Sequence, residues 1–275
     1  MEDGTTGIDA APQADHIHFL FEPRRVVGAV ASQRRRFATT VESLDSSELA
    51  EVSRCPGWTV ADVLRHGLWV DATLRAIWSG QRSLRNFDPR TTPNETVEAN
   101  RQISDHEIQE QYLVSSSNMV RELESAGLER FGQPSISPAG KVPWWLSVVH
   151  AGWDAAIHER DVLVPLGRPV VAVEEETTPF LAYGLVLASL IAGNKSLSVR
   201  VDDVRLRCGD GPVTAWSVEP MDDPTDATVT VLSGSPEVVI DAIAGRGALH
   251  EALAGPVATI DQLSGLADFF SSPGA

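Results

Sequence analysis

Taken at every fourth position, the stretch 142–162 runs Val142, Leu146, His150, Asp154, His158, Val162. Residues four apart stack on one face of a helix, with Cβ atoms about 5–6 Å apart. The polar trio is bracketed by apolar residues in its own row, and the neighbouring row, Val149, Trp153 and Ile157, is apolar too. The segment therefore reads as a helix whose inward face carries two histidines and a carboxylate. Burying an unpaired carboxylate is costly, so the fold around this face must compensate its charge. A metal ion is one way to do so. An Asp–His hydrogen bond or a solvated helix face is another.

Asp154 and His158 have the i, i+4 spacing that lets two side chains bind one ion, and a second helix would supply a third ligand. His66 is the best-placed candidate, because its neighbours Val63, Leu64, Gly67 and Leu68 mark a helix that packs against something. A His/Asp/His set suits Zn²⁺ or another divalent ion and leaves a position open for water or substrate, the arrangement of a catalytic metal. His150 reads as a hydrogen-bonded pocket histidine rather than a fourth ligand. His106 and His250 read as surface or satisfied side chains.

The surrounding pattern is helical. Residues 1–18 read as a disordered tail. Val26, Val27, Val30, Phe37 and Val41 give a helix over about 21–44. Pro56-Gly57 makes a turn, and Thr59 with Asp62 forms a capping box that opens a helix to about Trp78, followed by Gly80. Residues 88–94 hold two prolines and read as a loop. Residues 95–127 are largely helical with a break near Ser104. A loop with Gly132, Pro134, Pro138 and Gly140 precedes the helix from about Pro143 to Val164. Four substantial helices within residues 19–168 read as an all-α four-helix bundle.

After Arg168-Pro169 the texture changes, and residues 169–275 read as a small α+β domain. Thr178-Pro179 reads as an N-cap with proline in the first helical position, opening an apolar helix that Gly193-Asn194 ends. Strand-like runs follow at 196–206, 213–218 and 227–232. Ser235-Pro236-Glu237 starts another helix, ending near Gly245-Arg246, and residues 260–270 read as a last one.

Charge and apolar content exclude several classes. Acidic residues outnumber basic ones 38 to 22, a formal net charge of −16, which argues against a nucleic-acid partner and against an anionic membrane surface. No apolar run reaches the roughly 20 residues that span a bilayer. The N-terminus lacks the basic and apolar regions of a signal peptide. Two cysteines, Cys55 and Cys208, form neither a CxxC nor a disulfide framework and read as reduced thiols of a cytoplasmic protein. Nothing near Cys55 in the sequence lowers its pKa, so it is not read as a nucleophile. P-loop, G-x-G-x-x-G, G-x-S-x-G and H-E-x-x-H signatures are absent.

The run from Cys55 to His66, Cys-Pro-Gly-Trp-Thr followed by Leu64 and His66, resembles the first signature of mycothiol-dependent maleylpyruvate isomerase-like proteins. These belong to the DinB/YfiT superfamily of metal-binding four-helix bundles. Asp154, His158 and Asp161, with Gly167 beyond, resemble the second motif, and Asn100-Arg101 a pair found between the two. The resemblance implies metal ligands at His66, Asp154 and His158, with aspartate at a position where the family motif carries glutamate. It also implies mycothiol as a thiol co-substrate, with Asn100, Arg101 and His150 as candidates to hold its polar body. Trp69 and Trp153 are candidate pocket walls, although core packing is the better reading of both.

Thiol chemistry follows from that resemblance. A thiolate can add to an activated double bond, allow rotation and leave, giving cis–trans isomerisation. It can instead displace a group and stay attached, giving S-transfer, for example in tailoring a natural product. The partners expected are thus a small-molecule thiol and a small electrophile, in a monomer or homodimer. A metal-dependent hydrolase and a non-catalytic ligand-binding module are the alternatives on the same fold.

Overall fold

The computed structural model describes residues 17–81, 88, 91–138, 140–193, 196–209, 215–220 and 229–266. Strand β1 (Ile17–Phe19) leads into α1 (Pro23–Glu42), α2 (Ser46–Ala50), α3 (Val60–Trp78), α4 (Thr92–Ala99), α5 (Asp105–Ser125) and α6 (Leu128–Phe131). A hairpin of β2 (Pro134–Ser137) and β3 (Gly140–Pro143) precedes α7 (Trp144–Leu163) and α8 (Glu174–Ile191). Strands β4 (Leu197–Val201), β5 (Val204–Gly209), β6 (Ala215–Pro220) and β7 (Thr230–Leu232) follow, then α9 (Pro236–Ile243), α10 (Leu249–Ala252) and α11 (Val257–Asp261).

The chain is helix-rich with a small sheet. Helix α1 packs on α5 and α7, and α3 packs on the same two, so the four long helices close a ring of contacts. The sheet runs β1-β6-β5-β4-β7, antiparallel through β6-β5-β4 and parallel at both edges. Helix α8 joins the two parts. It packs on α1 and α7 on one side and on β5, β6 and α9 on the other. Every residue from Phe180 to Ser189 is buried, as befits a helix that is apolar all round. One continuous hydrophobic cluster therefore runs from Val30 and Trp153 through Phe180 and Leu185 to Leu206 and Ile243.

Glycine sets the closest approach in that core. A Cβ on Gly152 of α7 would lie 2.6 Å from both Phe180 of α8 and Val30 of α1, closer than real Cβ contacts permit. The missing side chain lets three helices meet at one point.

The helix that begins at the Thr59/Asp62 capping box and ends at Trp78 is observed with both halves of the box formed. The break near Ser104 is also found, and Ser104 itself caps α5. Several expectations need correction. Residues 17 and 18, assigned to the tail, are in β1, where Ile17 and His18 pair with Trp216 and Ser217 of β6. A strand this short gives no periodic signal of its own. The rest of the expected tail lies outside the described residues. The loop over 132–140 contains the β2–β3 hairpin, and α4 starts at Thr92, within the expected 88–94 loop.

Helix α8 begins at Glu174 rather than at Pro179, which sits inside it. The proline removes one helical hydrogen bond. The extra turn before it is held by Thr177 Oγ1, which donates to Val173 O at 2.8 Å, and by buried Glu176, which pairs with Arg36 at 2.7 Å. The strand-like run at 196–206 is two strands turned at Asp202, which has φ of +50°. Residues 260–270 do not form one helix: α11 ends at Asp261, and 267–270 lie outside the described residues.

Candidate metal centre

Helices α3 and α7 carry the three residues singled out by spacing. Thr59 fixes where α3 starts, and that start sets which way His66 faces. His66, Asp154 and His158 each offer one ligand atom, and these atoms all lie within 4.8 Å of one another. His158 Nε2 is 3.7 Å from Asp154 Oδ1. The His66 and His158 rings meet edge to face, with centroids 4.9 Å apart. Trp58 lies 5.2 Å from the His66 ring and Trp69 stacks 6.0 Å away, so Trp69 is a wall of this site. Trp153, 4% exposed, belongs to the core cluster instead.

Burial and the nearby His158 push the His66 imidazole down to about 4. His158 moves the other way. Burial opposes its charge, but the carboxylates of Asp154 and Asp161 outweigh that and raise it well above the ordinary histidine value. Asp154 is held below the usual carboxylate range because His158, His66 and His150 outweigh the cost of its burial.

The donor set is two imidazoles and one carboxylate, which fits Zn²⁺ and similar divalent ions. Among the described residues His66 Nδ1 is buried and has no hydrogen-bond partner. A buried polar atom left in that state is costly, and coordination of an ion at the ring would relieve the cost of burying this imidazole. His158 satisfies a second requirement: its Nδ1 meets Asp161 Oδ2 at 3.0 Å. A carboxylate on one nitrogen of a histidine orients the other toward a metal.

Asp161 is fully buried and is the hub of the site. Its Oδ2 also accepts from Arg246 Nη2 at 2.8 Å and from Cys55 Sγ at 3.1 Å. Arg246 Nε and Arg54 Nε approach Oδ1 at 3.2 and 3.4 Å. Arg246, Arg54 and the connection to Cys55 are invisible to spacing arguments, because they come from segments up to 191 residues apart. The only linear trace of them is the Asp161 of the second motif and the Gly245-Arg246 ending of α9. Cys55 Sγ lies 3.3 Å from Arg246 Nη2 and 3.8 Å from His158 Nδ1.

The three residues expected to hold a thiol's polar body separate. Asn100 donates its side-chain amide to Thr96 O, and its carbonyl accepts from Arg65 Nε. Arg101 pairs with Asp62 at 3.1 Å and Glu98 at 2.7 Å. Both are engaged at the α3–α4 surface rather than at the cluster. His150 lies one turn before Asp154, with its ring 5.5 Å from that of Tyr183, and its buried Nδ1 has no partner among the described residues. Burial lowers its pKa and so favours the neutral imidazole.

Residues 30–163, which hold the whole α3–α7 arrangement, match the family model of the mycothiol maleylpyruvate isomerase N-terminal domain. This helical part is thus similar to the N-terminal domain of mycothiol-dependent maleylpyruvate isomerases. The fold of the chain is similar to a crystal structure of the mycothiol-dependent maleylpyruvate isomerase, with TM-score 0.59 and 15% identity over 86% of this chain and 95% of that one. A histidine-to-alanine mutant of that isomerase aligns over the same shares with TM-score 0.57 and 15% identity. No curated protein matches the chain by sequence. The similarity of fold extends beyond the helical part, since coverage of 86% of this chain takes in part of the sheet as well. No helix among the described residues is long and apolar enough to cross a membrane.

Proposed function

We propose that this protein is a metal-dependent enzyme that uses a low-molecular-weight thiol, mycothiol, as nucleophile on a small electrophile, by cis–trans isomerisation or S-transfer. The ring of α1, α5, α3 and α7 is read as a DinB-like four-helix bundle that holds a divalent ion, Zn²⁺ in the first instance, on His66, Asp154 and His158. The observation that carries the reading is the convergence of those three ligand atoms within 4.8 Å, with the far nitrogen of His158 on Asp161.

Bound there, a divalent ion favours the deprotonated, nucleophilic form of a thiol. The chain's own groups do the rest. His66 stays neutral at physiological pH and keeps its lone pair for coordination. Asp154 supplies the negative charge that a dication needs. Trp58 and Trp69 flank the His66 ring and limit water on that side. His150, with its unpartnered Nδ1, is the residue placed to hydrogen-bond a polar group of the thiol or substrate. In the isomerisation the sulfur forms a bond to one carbon of an activated double bond. Rotation follows about what is then a single bond, and the sulfur leaves with its electron pair, so nothing is oxidised or reduced.

The test is elemental mass spectrometry on untagged protein and on His158→Ala, followed by a thiol-dependent assay against activated cis alkenes. About one divalent ion per chain, lost in the variant, with turnover only when thiol is present, is the expected result. Turnover without thiol would favour a hydrolase. A wild type that neither carries nor takes up Zn²⁺ would overturn the metal reading and point to a binding module.

A further inference from the structure

Resting on the metal reading above, we propose that Arg246 is a positioning residue for the metal ligand His158, acting through Asp161, so that the C-terminal part of the fold completes the metal centre. Arg246 follows α9, where Gly245 turns the chain with φ of +76°. Its backbone N–H donates to Asp241 O at 2.8 Å and its Nη1 to Ala244 O at 2.6 Å, so the side chain is aimed before it meets α7. Its Nε and Nη2 then reach the two oxygens of Asp161 at 3.2 and 2.8 Å.

A two-pronged arginine contact fixes the plane of a carboxylate as well as its place. Asp161 is 0% exposed, so water does not compete for its oxygens. Oδ2, held by Arg246 and Cys55, is also the atom that meets His158 Nδ1. With Nδ1 committed there, Nε2 is the nitrogen left toward Asp154 and His66. The chain of contacts runs from Arg246 to Asp161 to His158, and it starts in a segment that packs on α8 rather than in the four long helices.

A neighbouring pair provides the control. Asp241 of α9 accepts from Arg54 Nη1 at 2.9 Å and from Arg160 Nε at 2.7 Å. Through Arg160 it ties α9 to α7, and it does not itself touch Asp161, which its other partner, Arg54, approaches only at 3.4 Å. If Arg246 only held the C-terminal part in place, loosening Asp241 would have the same consequences as removing Arg246.

The experiment measures Zn²⁺ affinity by competition with a chromophoric chelator, and thermal stability in parallel, for wild type, Arg246→Ala, Arg246→Lys and Asp241→Asn. Loss of an outer partner of a metal-bound histidine typically weakens binding about 10–100-fold. Arg246→Ala is expected to fall in that range and Arg246→Lys, which keeps the charge but not the fork, between it and wild type. Asp241→Asn is expected to lower the melting temperature with affinity within about threefold of wild type. A histidine Nδ1–H of His158 that exchanges slowly in the zinc-loaded wild type should exchange fast in Arg246→Ala. Unchanged affinity in folded Arg246→Ala, or equal weakening in Asp241→Asn, overturns the proposal. A wild type that binds no Zn²⁺ overturns the metal reading instead, and the two failures are distinct.

Discussion

Asp161 lies one turn beyond His158 on α7, and its Oδ2 sits 3.0 Å from His158 Nδ1. That contact, together with Asp154 on the other edge of the ring, keeps His158 protonated at neutral pH when no metal is bound. His66, 4.9 Å away by ring centroids, is neutral under the same conditions. Two histidines of one site are thus poised in opposite states.

Metal uptake should therefore release protons in a defined number. At pH 7 His158 must give up its Nε2 proton, whereas His66 and Asp154 are already in their ligating forms. Isothermal titration calorimetry in buffers of different ionisation enthalpy should report about one proton released per ion. Below pH 4 His66 also holds a proton, so affinity should fall more steeply there. A release near zero or near two at pH 7 would contradict this assignment.

The same asymmetry shapes the pH dependence of metal-free stability. His66 is lowered in the folded chain to about 4 from 6.5, so below pH 6.5 the unfolded chain binds the extra proton and stability falls with falling pH, by about 3 kcal/mol at most. His158 is raised, so its contribution is complete below pH 6.5 and is lost as pH rises through its folded value. Together they give a maximum near pH 6.5. Melting curves of the metal-free protein should show His66→Ala flattening the acid limb and His158→Ala the alkaline one.

Gly152→Ala should destabilise. In an exposed helix the change gains about 1 kcal/mol. Here the new Cβ would meet Phe180 and Val30 at 2.6 Å, and overpacking of this kind costs about 1–3 kcal/mol. The net effect should be a lower denaturant midpoint with metal content intact. A gain in stability would show that α1 and α8 yield easily at this point.

A buried ion pair ties α1 to α3. Arg34 Nη1 meets Asp71 Oδ1 at 2.7 Å, with side chains 3% and 1% exposed, and Ser115 Oγ donates to Asp71 at 3.0 Å. Removing one partner strands the other charge, so Asp71→Ala should cost about 3–5 kcal/mol. Replacing both residues with apolar ones of similar volume should cost far less. Equal losses in the single and double variants, measured by urea titration, would argue against this account.

Much of the helical part was legible because its signals are local. The Thr59/Asp62 box places the start of α3 to the residue, and Ser104 marks the start of α5. The i, i+4 row of α7 places Asp154 and His158 on one face. The short strands β1, β2 and β3 were not legible, since three or four residues carry too little periodicity and their partners lie in a turn or some 200 residues away. The start of α8 was misplaced because Pro179 is a strong local signal, yet the Glu176–Arg36 pair adds a turn before it.

By itself the sequence determined the ligand candidates His66, Asp154 and His158, the helices that carry them and the family signature around them. All of these depend on spacings within a single helix or turn. Which cation holds the Asp161 carboxylate, and which of His150, Asn100 and Arg101 stays free to meet a ligand, were decided only by tertiary structure. The reason is physical. Asp161 Oδ2 gathers donors from residues 55, 158 and 246 at one buried point, and no periodicity along the chain encodes a meeting of three segments so far apart.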